Sequence, residues 1–530
     1  MVSTTLAVTM PVPGVLKLPN EVLLAICELV NADRDTGRAS HNQIPSFRLV
    51  CRRFRDVCSH LLLSHTTVDI SRPETLARLH GIAGNPGIAR GVDRVDVRLH
   101  FYHSSLAASF DNFVVAITSE WHQRQRGVGR TEPRREGELG FTDVITLFLE
   151  ELERSEAGDG GSDKKVEGSD PNTSASWPNE VLQRAYEVYK NGCAAQDAVL
   201  RTGNFAQSLA RAFAKLPKAS LLELYDGERW NNHPPGARIR VDAEDRKGQE
   251  EALVQVLSRP MLWEEARWIL PSENTWPVVP VELLVNIPLE IGKLNGVFLS
   301  TLSIQVSAAP NYMLLLTEPE CLAQLSAAVR NMSLFQVRFK PLCRSGCGPW
   351  AVDDDGRPLY VIRSANEMRA INDYLGALLD TETMSDVEIN LGEFWYSAGI
   401  DSIFDSTASL GADFSWPLGS GLENLSLCMV CLTVAELEKV AKSLCEEPEI
   451  DMHSVCLRGG TWKEALDMLR RELQKPWRVN FQCPMGGEID VLSEAQISFA
   501  FNRDDKSNSS ACSRAECYIQ GEDLSNPLQL

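Results

Sequence analysis

Four times in its C-terminal two thirds, this chain sets a Ser or Thr three residues ahead of a Glu, at the mouth of a run whose apolar residues recur with helical period. The pairs are Thr317 and Glu320 before CLAQLSAAVRNM, Ser364 and Glu367 before MRAINDYLGALL, Thr433 and Glu436 before LEKVAKSL, and Thr461 and Glu464 before ALDMLRREL. A hydroxyl that accepts from the third helical amide, with a carboxylate that reaches back to the capping residue's amide, satisfies two helix-end donors that have no partner inside the helix. A short alternating run follows each helix: LFQVRF, VEINL, VCLR and RVNF, with LSTLSIQV and ENLSLCMV of the same kind. Period-two alternation marks strands with one face on a core. A repeated helix-then-strand order leaves few architectures open, because parallel neighbours need crossovers long enough to hold a helix.

The strand centres fall near Ile304, Val337, Ile389, Leu427, Leu457 and Phe481, unevenly spaced at roughly 24 to 52 residues, whereas a regular leucine-rich repeat recurs every 20 to 29 or so. LENLSLCMVCL at 422–432 comes nearest to the leucine-rich signature. The expected fold class is therefore α/β: an irregular leucine-rich-repeat-like horseshoe over 177–500, with parallel strands on a concave face and helices outside. The alternative is a two-layer α/β domain in which the strands mix. Ahead of this region, VDRVDVRLHFY reads as a strand and SLAASFDNFVVAITSEW as a helix, so the α/β pattern begins within 66–150. The stretch 151–176 is Gly, Ser and charge with few apolar residues and is expected to be a flexible loop. Residues 501–530 read as a polar C-terminal tail.

The N-terminal part has a different pattern. Val22, Leu23, Ile26, Leu29 and Val30 form one helical stripe, with Pro19 in the first turn and Glu21 near the positive end of the helix dipole. After a polar loop, IPSFRLVCRRFRDVCSHLLL carries a second stripe of Phe47, Val50, Phe54, Val57, Cys58 and Leu61. Two or three helices in about fifty residues bury only a modest core, and such units lean on partners.

The order Leu18-Pro19-x-Glu21-Val22-Leu23-x-x-Ile26, then a gap, then Phe47-Arg48-Leu49-Val50-Cys51-Arg52-Arg53-Phe54 and Leu61-Leu62-Leu63, resembles an F-box across 16–65. The gap is longer than the commonest spacing, and Pro45 stands where the second helix begins, a position that tolerates proline. The resemblance implies docking onto a Skp-type adaptor and, through it, a cullin-RING ubiquitin ligase. It implies an interface formed by Leu18, Pro19, Val22, Leu23, Ile26, Leu49, Val50 and Phe54, with Glu21 and Arg52 at its rim. Some of these positions must instead hold the unit's own helices together, and periodicity does not separate the two roles. F-box followed by an irregular leucine-rich array resembles a large class of fungal proteins in which the array holds a substrate.

PNEVL recurs in WPNEVLQRAYEVY at 177–189, but no leucine-valine-cysteine-arginine block follows it. Val181, Leu182, Ala185, Tyr186 and Tyr189 form one stripe there, and Phe205, Leu209, Ala212 and Phe213 another. A helical hairpin is expected, leading into the strand LLELYD. The shared pentapeptide reflects residue types suited to helix starts.

Seventy-two Asp and Glu against 52 Lys and Arg give a formal charge of −20, which repels phosphate backbones and anionic lipids, so neither nucleic acid nor membrane is expected as a partner. The basic run at 121–135 reads as a solvated loop. The N-terminus lacks the charged start and unbroken apolar core of a signal peptide, which points to the cytoplasm or nucleus with the 14 cysteines mostly reduced. Cys343 with Cys347, and Cys428 with Cys431, are close pairs that lack two further ligands for zinc. Asp353, Asp354 and Asp355 read as a solvated turn, and GDGG at 158–161 has no strand ahead of it, so no cofactor or metal is expected. No nucleophile motif is present. The expected function is a non-catalytic substrate-recognition subunit of an SCF-type ligase that raises effective concentration by holding a protein substrate. The alternatives are an F-box scaffold that delivers no substrate for ubiquitination, and a thiol enzyme whose F-box likeness is incidental.

Overall fold

A computed structural model describes residues 17–32, 44–127, 138–140, 146, 148–152, 177–201, 203–227, 240–242, 245–268, 279–307, 309–315, 318–339, 364–392, 421–473, 476–502 and 512–529. Among these, nine strands lie side by side in the order in which the chain supplies them: β1 (His65–Asp69), β2 (Arg94–Arg98), β4 (Leu221–Tyr225), β6 (Thr301–Val306), β7 (Leu334–Phe339), β8 (Asp386–Asn390), β9 (Leu422–Cys428), β11 (Leu444–His453) and β13 (Arg478–Gln482). Every neighbouring pair is parallel. The protein is thus a mixed α/β chain built around one large parallel sheet. β3 (Glu138–Gly140) and β5 (Arg240–Asp242) form a separate antiparallel pair.

Register explains why the strand sequences alternate. Val68, Val97, Leu224, Ile304, Val337, Ile389, Leu427, Met452 and Phe481 stand in one row across the sheet, all buried in the main core. The adjacent row on the other face runs Thr67, Asp96, Glu223, Ser303, Gln336, Glu388, Ser426, Asp451 and Asn480, without one apolar residue. Because successive side chains point to opposite faces, one face of the sheet is apolar and the other polar.

The crossover helices cover the apolar face and touch one another in chain order: Pro73–Ala83, Phe205–Phe213, Leu283–Gly292, Pro319–Val329 and Ala365–Leu379, then Val434–Lys442 and Trp462–Glu472. A Cβ on Gly292 would come 2.1 Å from that of Ala328, so the glycine sets how closely two of these helices approach. The two helices expected there are present as Trp177–Leu200 and Phe205–Phe213 with both stripes buried, but they do not pack on each other as a hairpin: the stripe of the second joins the main core and that of the first does not. The first of them builds a satellite core with Leu106, Phe113, Leu253 and Leu257.

A serine ladder starts the strands. Ser220, Ser300, Ser333 and Ser385 each directly precede one of them. The carbonyl of Ser220 accepts from the amide of Ser300 at 2.9 Å, that of Ser300 from Ser333 at 2.9 Å, and that of Ser333 from Ser385 at 2.8 Å. Hydroxyls add a second rung: Ser300 Oγ to Ser220 Oγ at 2.8 Å, and Ser385 Oγ to the Ser333 carbonyl at 3.0 Å. A small side chain that donates and accepts lets each turn stack on the last.

In the last three units the chain turns from the main sheet into a second one. Met429, Ser454 and Cys483, all in the left-handed region with φ of 53°, 51° and 51°, lead into β10 (Cys431–Thr433), β12 (Cys456–Gly459) and β14 (Met485–Gly486). These three pair in parallel as their own sheet.

Several expectations need correction. VCLR, expected in the main array near Leu457, is β12 of the small sheet. The strand that joins the main sheet there is β11, whose EEPEIDMH lacks a full strand alternation because its N-terminal half is charged. The end of the chain is no free polar tail: in helix Arg514–Gln520, Ala515, Glu516 and Ile519 are buried against β13 and helix Trp462–Glu472. Capping boxes form at Ser364, Thr433 and Thr461 as read, and also at Ser493 and Ser513. Thr317, the fourth expected cap, lies outside the described residues; Glu318 directly precedes helix Pro319–Val329 and makes no side-chain cap. The helix expected over 105–121 is broken at Ser109, and the basic run is helical as far as Gly127. Cys343, Cys347, Asp353 to Asp355, the GDGG segment and the expected loop beyond Leu152 lie outside the described residues.

Candidate functional site

The residues singled out at the N-terminus fold into three short helices, α1 (Asn20–Ala32), α2 (Ile44–Val50) and α3 (Arg52–Cys58). The second stripe was expected on one helix. Instead the backbone extends at Cys51, with φ −163° and ψ 168°, and α3 restarts from there. This break decides which apolar residues face inward.

Leu23, Cys27, Ile44, Phe54 and Cys58 form the core of the unit, with Leu18, Phe47, Cys51, Val57, Leu61 and Leu62 packed around it. Leu23 and Phe54, read as candidate contacts for a partner, are therefore internal to the unit. Phe47 and Phe54 pack with ring centroids 5.6 Å apart and their planes tilted by 37°. On the outside, Val22 is 42% exposed, Leu29 76%, Leu49 87% and Val50 63%, with Pro19, Glu21 and Arg52 exposed as well. Leu18 and Ile26 are half-buried. Val22 and Leu29, seven residues apart on α1, share one helix face.

Polar contacts fix the start of α1. Arg53 donates from Nη2 to the Leu18 carbonyl and from Nε, at 2.9 Å, to Asn20 Oδ1. The sequence pattern singles out Arg52 for the rim, whereas the side chain that makes these bonds is Arg53. The signal available was an arginine one residue further on, turned about 100° round the helix toward α1. Cys27 and Cys58 meet inside as hydrogen-bonded thiols. Burial raises Cys27 above the ordinary thiol range and pushes Cys58 up to about 11, which makes both poor nucleophiles. The unit sits against the rest of the chain through Gly91, where a Cβ would come 1.6 Å from the His60 carbonyl oxygen.

The polar face of the large sheet is the second candidate. Its side chains pair laterally between strands: Arg338 with Glu388, Arg478 Nη1 with Glu449 Oε1 at 2.9 Å, Asn480 Nδ2 with Asp451 Oδ1 at 3.0 Å, and Arg98 Nε with Tyr225 Oη at 3.1 Å. Toward the N-terminal strands Asp96, Glu223 and Ser303 are buried. From β7 onward Gln336, Glu388, Ser426 and Asp451 are half-buried.

One cluster contains serine, histidine and aspartate, at the ends of β1 and β2. His100 Nε2 lies 2.9 Å from the Asp69 carboxylate and 3.2 Å from Ser71 Oγ, while Ser71 Oγ donates to Asp69 at 2.6 Å. A hydrolytic triad uses opposite ring nitrogens for acid and serine. Here one nitrogen faces both, so the group closes a strand end. Burial alone would raise the Asp69 carboxyl, but its contacts with His100 and Ser71 hold it below the ordinary carboxylate range.

Among the described residues, no group of three or more His, Cys, Asp or Glu is placed to hold a metal ion, and no helix is long and apolar enough to cross a membrane. The fold and its two candidate surfaces define a mixed α/β protein with a small helical unit at one end. Set against known proteins, the chain matches no family model, no curated protein and no solved structure.

Proposed function

We propose that this chain is the substrate-recognition subunit of an SCF-type ubiquitin ligase, with residues 16–65 as an F-box that docks onto a Skp-type adaptor. The observation that carries the reading is the exposure of Val22, Leu29, Leu49 and Val50 on a unit of three short helices whose core is already filled. Large apolar side chains left exposed on a small helical unit suit a surface that another protein covers. The F-box resemblance names the adaptor as that protein.

The sheet with strands in chain order and helices on one face supports reading the remainder as an irregular leucine-rich-repeat-like horseshoe. Its polar face is then the inner, substrate-holding surface. The protein supplies position rather than catalysis in this reading.

The test is adaptor capture by the full chain and by a Val22→Asp, Leu49→Asp double variant, with circular dichroism on both. Capture by the wild type and loss in a folded variant supports the proposal. Equal capture by both, or none by the folded wild type, overturns it. In cells, an F-box variant that leaves all captured proteins with unchanged lifetimes would instead favour a scaffold.

A further inference from the structure

The small sheet gathers four sulfur-bearing side chains. β10, β12 and β14 pair in parallel with Cys431 beside Cys456 and Cys456 beside Met485. Registered residues on parallel strands project from the same face. Cys456 is buried, and the apolar side chains packed against it are Met429, Cys431 and Met485, a cluster separate from the main core. The two thiols are hydrogen-bonded and neither is in a disulfide. Gly486, at φ 67°, gives the strand room to close: a Cβ there would come 2.6 Å from Cys456 Sγ.

We propose that Cys431, Cys456 and Met485, with Met429 beside them, form a binding site for a soft monovalent cation, Cu(I). Thiolate and thioether donors select Cu(I), whereas carboxylate and carbonyl oxygens suit hard cations and structural zinc takes four nitrogen, sulfur or oxygen ligands. Binding forms two copper–thiolate bonds and releases two protons, with no change of oxidation state. The bound set carries one net negative charge; in the metal-free protein the hydrogen bond to Cys456 and burial hold the Cys431 thiol above the ordinary range, against a smaller lowering by the guanidinium of Arg458, so copper must displace both protons to bind. Arg458 is itself held by Glu436 at 2.7 Å. The proposal is independent of the adaptor reading.

The experiment titrates the reduced full chain with Cu(I) under anaerobic conditions against a chromogenic Cu(I) chelator. The other cysteines of the chain are present in every sample and provide the background. The wild type is expected to hold one equivalent more than Cys431→Ser. Met485→Leu, which conserves volume, is expected to keep that equivalent with affinity lowered about tenfold or more. Cu(I) should also raise the melting temperature of the wild type and not of Cys431→Ser, a readout that checks folding in the same scan. Equal stoichiometry and affinity in all three proteins overturns the proposal. So does preferential uptake of Zn²⁺ by the same residues, or a Cys431–Cys456 disulfide formed in air by a protein that binds no Cu(I) when reduced.

Discussion

Arg53 on α3 donates to the backbone carbonyl of Leu18, which ties the segment leading into α1 to a helix that begins more than thirty residues later. With the second bond to Asn20 Oδ1, a single guanidinium fixes where α1 starts. Arg53→Met keeps most of the aliphatic stem and removes both bonds. It should destabilise the three-helix unit by about 1.5–3 kcal/mol, the range for a hydrogen bond to a charged group. Hydrogen exchange at the amides of α1 is the measurement, and unchanged protection would count against this clamp.

Leu23 and Leu49 were indistinguishable as candidates, and the structure separates them. Leu23→Ala should cost about 2–5 kcal/mol of local stability, because it empties a filled core position. Leu49→Ala, at an exposed site, should change stability by less than about 0.5 kcal/mol. Chemical denaturation followed by a probe within the first sixty residues checks both. A large loss at Leu49 would place it in the core after all.

The amide of Phe481 on β13 donates to Glu516 Oε1 at 3.1 Å, so a buried carboxylate from the last helix covers the edge of the sheet. Glu516 also caps its own helix at Ser513. Glu516→Ala should leave buried donors unsatisfied and cost about 1–3 kcal/mol. The Phe481 amide should then exchange faster, and the open edge should promote self-association. Slow exchange in the variant would show that something else covers the strand.

His103 caps helix Ser104–Ala108, and burial lowers its imidazole to about 4. The unfolded chain binds a proton near the ordinary value of about 6.5 while the folded chain does not, so stability rises with pH between those values. Stability should thus be full above about pH 6.5 and fall as the pH drops toward 4, by at most about 3 kcal/mol from this group. His103→Asn keeps a capping side chain that does not titrate and should flatten this limb of the curve. An unchanged slope would assign the acid sensitivity to other groups.

Gly91→Ala would drive a methyl group into the His60 carbonyl. The junction between the helical unit and the sheet should loosen at a cost of about 1–3 kcal/mol or more. Limited proteolysis should cut near residues 60–64 in the variant well before the wild type. Equal resistance would mean that the junction carries little of the strain.

Much of the architecture was legible because the information is local. Capping boxes at Ser364, Thr433 and Thr461 and the alternation in LFQVRF and VEINL report how neighbouring residues share one helix face or one strand face, and tertiary packing used them as read. β1 escaped because HTTVD holds one aliphatic residue. β11 escaped because charges occupy its first half. The serine ladder was visible as a serine ahead of four strand-like runs, but its meaning depends on stacking between units far apart in the chain.

By itself the sequence determined the period of most elements, the helix starts at Ser364, Thr433 and Thr461, the polarity that assigns one sheet face to the core, and an acidic charge balance. Tertiary structure decided the strand order, the turning of the last three units into a second sheet, and the docking of the final helix on β13. It also decided that Leu23 faces inward while Leu49 and Val50 face out, through one extended residue at Cys51. Periodicity states that a residue lies on an apolar face. What covers that face depends on backbone direction and on segments distant in the chain, and no local pattern encodes either.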